Sequence, residues 1–290
     1  MTLTQSNALR RIQTRGQLPT LPEVLTRILD VLDDEASSAE DITAVLASDP
    51  VITARILRLA NSAFYGARFQ IDTIQRAVVT VGFEAVKQLA LATAVFDSLQ
   101  QVSQPCFERE DFWLHSLGSA KAAQLLAFST DHISMPEACF TAGLLHGLGK
   151  IVLSINLQGE YDEVIQQAAL DRVSLRAMEQ RILQTDHAEV GGWLMHQWGF
   201  PAVIVASVRN QHAPLGYRGP YQREVMIVSV AGDMARAAGF GRAGEPLDGA
   251  LSGERIEMLG LEAGEIAGIV DTLSIMLDDA RTLLGLFQQT

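Results

Sequence analysis

Apolar residues recur at helical spacing along almost the whole chain. The segment LPEVLTRILDVLDD carries the apolar stripe of an amphipathic helix. The same period returns in residues 160–170, 174–184 and 222–238. Alternation of apolar and polar residues is scarce, and its best example, VIVASV, has flanks that suit a buried helix better than a strand. The pattern therefore predicts an all-α protein.

Residues typical of helix N-termini precede several of these segments. Ser37 and Glu40 have the spacing of a capping box before DITAVLA, and Asp186 and Glu189 have the same spacing at the start of a later helix. Pro50 stands where another helix is predicted to begin, a position at which the missing N–H of proline costs nothing. These signals predict the starts of three helices.

Two segments interrupt the helical pattern. Residues 99–111, LQQVSQPCFERED, are polar and contain a proline, and we predict that they join an N-terminal helical bundle to a second helical core. A loop within one domain would have the same composition. Residues 239–249 form a glycine-rich break before two weaker C-terminal helices. Between the two segments, one helix is predicted to run through to His146, with Lys150 neutralising its last carbonyl groups.

Composition limits the classes of function. The chain has 290 residues, of which 48% are hydrophobic, so it can bury a large core. Its net charge is −12 and no cluster of Lys and Arg offsets it, so direct binding of nucleic acid is not expected. Cys106 and Cys139 are too few for a disulfide framework or a zinc knuckle. Without a secretory signal or a long uninterrupted apolar window, a cytoplasmic protein with no membrane contact is expected.

Four of the six histidines occupy helix positions from which they could converge. They are His115, His146, His187 and His212. Asp233 lies in the apolar segment VAGDMARAAG, where a carboxylate is costly to bury unless it is paired, hydrogen-bonded or bound to a metal. Helical bundles build metal sites from such residues, and this mixture suits Fe, Mn, Zn or Ni. No two of the five have helical contact spacing, so ordinary buried side chains are an equal alternative; His132 and His196 are interpreted as ordinary.

The order and spacing of several sequence blocks resemble the HDOD family, the HD-related output domains of bacterial signalling proteins. The blocks include LPTLPEVLTRILDVL, ASDPVITARILRLANSAFYG, FWLHSLGSA, TAGLLHGLGKIVL and HAEVGGWLMHQWGFPAVIVASVRNQHAP. The resemblance covers residues 17–215 and implies a two-lobed, multi-helical domain with lobes at about 17–100 and 107–215. Residues 1–16 would be an N-terminal extension. Residues 216–290 would be a helical C-terminal extension that completes or packs on the second lobe.

The resemblance also implies which residues correspond to the metal ligands of HD phosphohydrolases. These positions are His115, the pair His146 and Gly147, and then His187, His212 and Asp233. Gly147 replaces the aspartate of the HD pair, a carboxylate that bridges two ions and helps hold the attacking hydroxide. A dinuclear catalytic centre is therefore not expected. A single divalent transition metal held by His115, His146 and Asp233, with His187 or His212, is the alternative that this ligand set leaves open.

The expected function is that of a non-catalytic, regulatory module in bacterial signal transduction, a pseudoenzyme that acts through protein–protein interaction. The resemblance implies a sensor, a diguanylate cyclase or a response regulator as the partner, and it allows a homodimer. The alternative is a metal-dependent phosphohydrolase that acts on a nucleotide or cyclic dinucleotide with an atypical ligand set. A third hypothesis is a sensor that binds a nucleotide without turnover.

Overall fold

The protein is all-α, as a computed structural model shows. The structure describes residues 7–16, 23–34, 36–61, 70–100, 107–131, 133, 136–245 and 251–288. These residues contain no β-strand, and VIVASV lies within a helix, so the predicted fold class is confirmed. Cys106 and His132 lie outside the described residues.

Seventeen α-helices lie in the described residues. The first six are α1 (Asn7–Arg15), α2 (Glu23–Asp33), α3 (Ala39–Ala47), α4 (Pro50–Ala60), α5 (Ile74–Val81) and α6 (Phe83–Gln100). The next six are α7 (Arg109–Ser129), α8 (Pro136–Leu145), α9 (Leu148–Asn156), α10 (Gln158–Asp171), α11 (Leu175–Leu183) and α12 (His187–Gln197). The last five are α13 (Ala202–Asn210), α14 (Gln222–Ala237), α15 (Gly253–Leu259), α16 (Ala263–Ile275) and α17 (Leu277–Gln288).

The chain forms two compact units. The smaller unit comprises Pro19–Val102 and Met276–Thr290. Its central helix is α6, which packs against α2, α4 and α5, while α17 packs on α4. The stripe predicted for α2 forms part of this core, since Leu25 and Ile28 are fully buried. The hydrophobic pattern thus identified the buried side of this helix correctly.

The larger unit comprises Met1–Leu18 and Ser103–Ile275, and its central helix is α7. Small residues allow helices in this unit to approach closely. A Cβ atom on Gly118 of α7 would lie 2.4 Å from the ring of Phe240. A Cβ atom on Gly149 of α9 would lie 1.9 Å from the carbonyl oxygen of His187, the first residue of α12. Glycine is therefore required at both contacts, and the second one brings α9 to the start of α12.

The termini of the chain pack with different units. Helix α1 belongs to the larger unit, where Arg11 forms an ion pair of 2.7 Å with Glu160 of α10. Helix α17 belongs to the smaller unit. These units differ from the predicted domain limits, which treat residues 1–16 and 216–290 as extensions, because segments distant in sequence pack together. The compact units do not test where the family's domain begins and ends. Its predicted limits, residues 17 and 215, therefore stay a prediction.

The predicted helix starts agree with the structure, except that one capping box is shifted by one residue. Helix α4 begins at Pro50, as predicted. The capping box predicted at Ser37 and Glu40 lies one residue later, where Ser38 accepts a hydrogen bond from the backbone N–H of Asp41 and the Asp41 carboxylate accepts one from that of Ser38. Both pairs have the same spacing, so the sequence pattern alone could not choose between them.

The helix predicted to run to His146 ends within one residue of that position. Helix α8 ends at Leu145, a turn contains His146 and Gly147, and α9 begins at Leu148. In the described part of the chain, the stretch Ala138–Asn156 across this turn has the length and apolar character of a membrane span, but 89% of its tested window is buried inside the protein. Such burial is typical of a core helix.

Candidate functional site

A cavity of about 610 Å³ lies within the larger unit. Residues of α7, α9, α11, α12, α14 and α15 line it, together with the turns that follow α8 and α13. The lining includes all five residues that the sequence analysis selected: His115, His146, His187, His212 and Asp233. The fold therefore brings the five side chains to one cavity, where the four histidines form two pairs.

The first pair consists of His115 in α7 and His146 in the turn after α8. Both residues are buried, and their ring centroids lie 5.2 Å apart. The Nδ1 atom of His146 donates a hydrogen bond to the carbonyl oxygen of Gly143 at 2.6 Å, which makes Nε2 the nitrogen with the lone pair. A Cβ atom on Gly232 would lie 3.9 Å from Nε2 of His146 and 4.0 Å from Nε2 of His115. Both Nε2 atoms thus face the same point on α14.

Burial keeps this first pair neutral at physiological pH. It lowers the pKa of His146 to about 3; the bond to Gly143 opposes this shift, and the charge of Lys150 adds to it. Burial also holds the pKa of His115 well below its usual value, and the proximity of His146 lowers this pKa further. Neutral imidazole is the form that can accept a hydrogen bond or bind a metal ion.

The second pair consists of His187 and His212, whose Nε2 atoms lie 2.7 Å apart. Glu179 lies behind His187: its carboxylate accepts hydrogen bonds from Nδ1 of His187 at 2.7 Å, from the His187 backbone N–H at 3.0 Å and from the Tyr161 hydroxyl at 2.7 Å. Burial by itself raises the pKa of Glu179, but the charge of His187 and these bonds outweigh it, so the net pKa is lowered. A carboxylate in this position orients the imidazole and increases its basicity, as it does for metal-binding histidines.

Asp233 of α14 is held by two arginines, which we call the arginine clamp. One carboxylate oxygen accepts a hydrogen bond from Arg236, three residues later on the same helix. The other oxygen accepts a hydrogen bond from Arg255 of α15, which also donates to the hydroxyl of Ser229 at 2.8 Å. The arginine clamp therefore explains how the buried carboxylate is compensated without a metal ion.

Gly147, the position that differs from the HD pair, lies against an aromatic ring. A Cβ atom on Gly147 would be 2.9 Å from Cε2 of Phe112, a fully packed residue of α7 that is 1% exposed. The backbone at Gly147 has φ −88° and ψ −6°, which any residue can adopt. The fold thus favours glycine at this position because Phe112 occupies the space, and not because the turn requires glycine.

Lys150 does not play the predicted role at the end of α8. It lies inside α9, is buried, and donates a hydrogen bond from Nζ to the carbonyl oxygen of Ala243 at 2.9 Å. Burial lowers the pKa of Lys150, whereas the charges of Glu245 and Glu179 raise it. The prediction was wrong because the side chain of Lys150 contacts Ala243, which is 93 residues away in the sequence, instead of the end of α8.

The arrangement does not fit a dinuclear metal centre. Among the described residues, no three or more His, Cys, Asp or Glu side chains are placed so that they could hold a metal ion. Position 147 has no side chain, and both oxygens of Asp233 are bonded to the arginine clamp. Two divalent ions would need a bridging carboxylate that this cavity does not provide. Binding of a single ion by His115, His146 and Asp233, with His187 or His212, stays a prediction.

Several charged residues at this site were not predicted from the sequence. The signal for Arg236 was present, since it follows Asp233 at the i, i+3 spacing of a helical ion pair. Arg255 carries no such signal because it is 22 residues from Asp233 in the chain. Glu179 is separated from His187 by the end of α11 and a turn, so only the folded chain reveals their contact.

Comparisons with known proteins agree with the fold. A crystal structure of an HDOD domain protein with unknown function from Geobacter sulfurreducens has a TM-score of 0.79 and 25% identity, with 95% of both chains covered. A structure named "Putative phosphohydrolase" from Shewanella amazonensis SB2B has a TM-score of 0.77 and 28% identity, with 98% of this chain and 99% of that chain covered.

The sequence comparisons identify the family. An uncharacterised protein of Treponema pallidum (strain Nichols) is 24% identical over 195 residues, which are 67% of this chain but only 37% of that protein. The family model described as HDOD domain matches residues 18–214, well over half of the chain. The chain therefore belongs to the HDOD domain family.

Proposed function

We propose that this protein is a non-catalytic signal-transduction module of the HD superfamily that acts through interaction with another protein. The proposal depends on the two positions that correspond to metal-binding carboxylates of HD phosphohydrolases. Position 147 is a glycine, and both carboxylate oxygens of Asp233 are hydrogen-bonded to the arginine clamp. Without a bridging carboxylate, two divalent ions would repel each other and would not hold a hydroxide for attack on phosphorus. Membership of a family of signalling output domains supports the regulatory role.

The proposed partner is a sensor, a diguanylate cyclase or a response regulator in the cytoplasm, and a homodimer is compatible with this role. The net charge of −12 opposes direct binding of nucleic acid. Signalling through a protein surface does not require the chemistry of the cavity. We therefore expect changes at the cavity to affect metal content more than they affect partner binding.

Turnover is the first test. We expect the purified protein, supplied with Mn²⁺, Fe²⁺, Zn²⁺ or Ni²⁺, to hydrolyse bis(p-nitrophenyl) phosphate no faster than a matched variant with both His115→Ala and His146→Ala. A metal-dependent rate that exceeds the rate of this double variant would contradict the proposal.

Partner binding is the second test. The wild type and Gly147→Asp, each checked for folding by thermal unfolding, are co-purified with candidate sensors, cyclases and response regulators. We expect equal recovery of the partner by both proteins, because the interaction does not depend on the cavity. Recovery that collapses in a folded Gly147→Asp protein would count against the proposal.

A second candidate function is a metal-dependent phosphohydrolase that acts on a nucleotide or cyclic dinucleotide. It is favoured by the first histidine pair, whose Nε2 atoms face one point on α14, and by the resemblance to a structure named as a phosphohydrolase. Elemental analysis of protein purified without added metal separates the two functions. Substoichiometric metal together with no turnover of nucleotides or cyclic dinucleotides would eliminate this candidate.

A further inference from the structure

The cavity has an excess of positive charge on its lining. The charged residues that line it are Lys150, Arg176, Arg236 and Arg255, which are cationic, and Asp233 and Glu245, which are anionic. Four cations and two anions give a lining charge of +2, in a protein whose net charge is −12.

Neighbouring carboxylates compensate the excess charge only in part. Arg236 and Arg255 share the single carboxylate of Asp233. The buried Nε atom of Arg236 has no hydrogen-bond partner in the described part of the protein. Lys150 donates to the carbonyl oxygen of Ala243, which is a neutral acceptor. Two guanidinium groups therefore meet one carboxylate, whereas Lys150 also interacts electrostatically with Glu245 and Glu179.

The two other charged residues of the lining are occupied by local contacts. Arg176 donates a hydrogen bond of 2.8 Å to Asp186, the N-cap residue of α12. Glu245 accepts a hydrogen bond of 3.0 Å from the backbone N–H of Leu175, at the start of α11. Arg176 is compensated by Asp186, and the charge of Glu245 acts on Lys150, so the excess of positive charge is greatest at the arginine clamp.

We propose that this cavity binds a small phosphate-bearing anion directly through Arg236, Arg255 and Lys150, without an intervening metal ion. Guanidinium groups match the geometry of phosphate oxygens with paired N–H donors, and a lysine ammonium group adds a point charge. A phosphate monoester carries nearly two negative charges at neutral pH, and the lining carries more cationic than anionic groups. The ligand would be a chemical signal for the module, and its binding does not depend on the identity of the protein partner.

The size of the cavity favours an organic phosphate over the free ion. Its volume of about 610 Å³ lies within the range of about 300–1,000 Å³ that is typical of small-molecule sites. An ester can place its phosphate against the arginine clamp while its organic part fills the remaining space. Neutral His115 and His146 offer hydrogen-bonding nitrogens to that part, since both line the same cavity. Inorganic phosphate should therefore bind more weakly than an ester.

Calorimetric titration tests this inference on the purified chain, with inorganic phosphate and phenyl phosphate as probes. The buffer contains EDTA and has constant ionic strength, so metal-mediated and non-specific binding are separated from direct binding. We expect saturable binding, tighter for phenyl phosphate, and a loss of about tenfold or more in Arg255→Gln because a charge-assisted hydrogen bond is removed. Arg181→Gln is the matched control, since Arg181 is an exposed arginine of the same unit that pairs with Asp171; it should bind like the wild type.

Two further variants distinguish a loss of phosphate binding from a failure to fold. Arg255→Lys keeps the charge and should retain more affinity than Arg255→Gln, whereas Arg236→Gln should lose affinity in the same way as Arg255→Gln. Thermal unfolding without ligand checks each protein. The inference is overturned if the wild type shows no saturable binding of either probe, if binding requires a metal ion, or if folded Arg255→Gln and Arg236→Gln both bind as tightly as the wild type. Failure of these titrations leaves the co-purification results untouched, so the two proposals fail separately.

Discussion

The two histidine pairs of the cavity have the same side chains but different surroundings. His187 of the second pair has a buried carboxylate behind it, and Glu179 in turn binds the hydroxyl of Tyr161. His146 of the first pair donates a hydrogen bond to a backbone carbonyl oxygen instead. The next residue, where the HD pair would have its aspartate, is Gly147. The second pair therefore keeps the carboxylate support that is typical of metal-binding histidines, whereas the first pair lacks it.

This difference shows why a count of histidines is a poor guide to chemistry. All four histidines line one cavity, yet the anionic groups near the first pair are either absent or bonded to arginines. The charge of the surrounding residues decides whether such a cavity attracts cations or anions. Here the cationic groups outnumber the anionic ones, so the cavity is better suited to an anion.

The largest expected effect is on the second pair. Glu179→Ala removes the acceptor of three buried hydrogen bonds, and each donor left without a partner costs about 1–3 kcal/mol. We expect the free energy of unfolding, measured by urea denaturation, to fall by about 3 kcal/mol or more. Glu163→Ala, on the exposed side of α10, is the matched control and should change it by no more than about 0.5 kcal/mol. Equal effects of the two substitutions would contradict the buried role of Glu179.

The contact between Gly147 and Phe112 gives the next effect. Gly147→Asp forces a side chain into space that the Phe112 ring occupies, and such overpacking typically costs about 1–3 kcal/mol. In a Phe112→Leu background the same substitution should cost less, because the obstructing ring is gone. A double-mutant cycle measured by denaturation gives this coupling. A cost that is the same in both backgrounds would show that Phe112 is not the obstacle.

The pH dependence of stability tests the first pair. The pKa of His146 is about 3 in the folded protein and 6.5 in a model peptide, so the unfolded chain binds more protons between these values. The resulting stability is fully present above pH 6.5 and is lost as the pH falls towards 3, at up to about 1.4 kcal/mol per pH unit for one histidine. His146→Asn keeps a donor for Gly143 but cannot titrate, so its free energy of unfolding should fall less steeply. His196→Asn, an exposed change in α12, should keep the steeper wild-type slope.

The smallest effect should come from Tyr161→Phe. This substitution removes the hydroxyl that donates to Glu179 but leaves both hydrogen bonds from His187 in place. We expect a loss of about 1 kcal/mol in the free energy of unfolding. A loss as large as that of Glu179→Ala would mean that the tyrosine, and not the histidine, is the main partner of the carboxylate.

The fold class could be predicted from sequence because helical periodicity is a local property. Stripes such as that of α2 and a helix start such as Pro50 depend on neighbours within a few residues. The same locality explains the shifted capping box, since a one-residue shift leaves the spacing of such a box unchanged.

The sequence by itself determined the helical character of the chain, its resemblance to HDOD domains and the absence of a carboxylate at position 147. Only the tertiary structure decided the charge environment of the cavity. Arg255, Lys150 and Glu179 come from separate helices, and their contacts arise from how α9, α11, α14 and α15 pack. A carboxylate such as Asp233 has the same sequence signature whether it binds a metal or two arginines, because the partner that compensates a buried charge is chosen by packing in three dimensions.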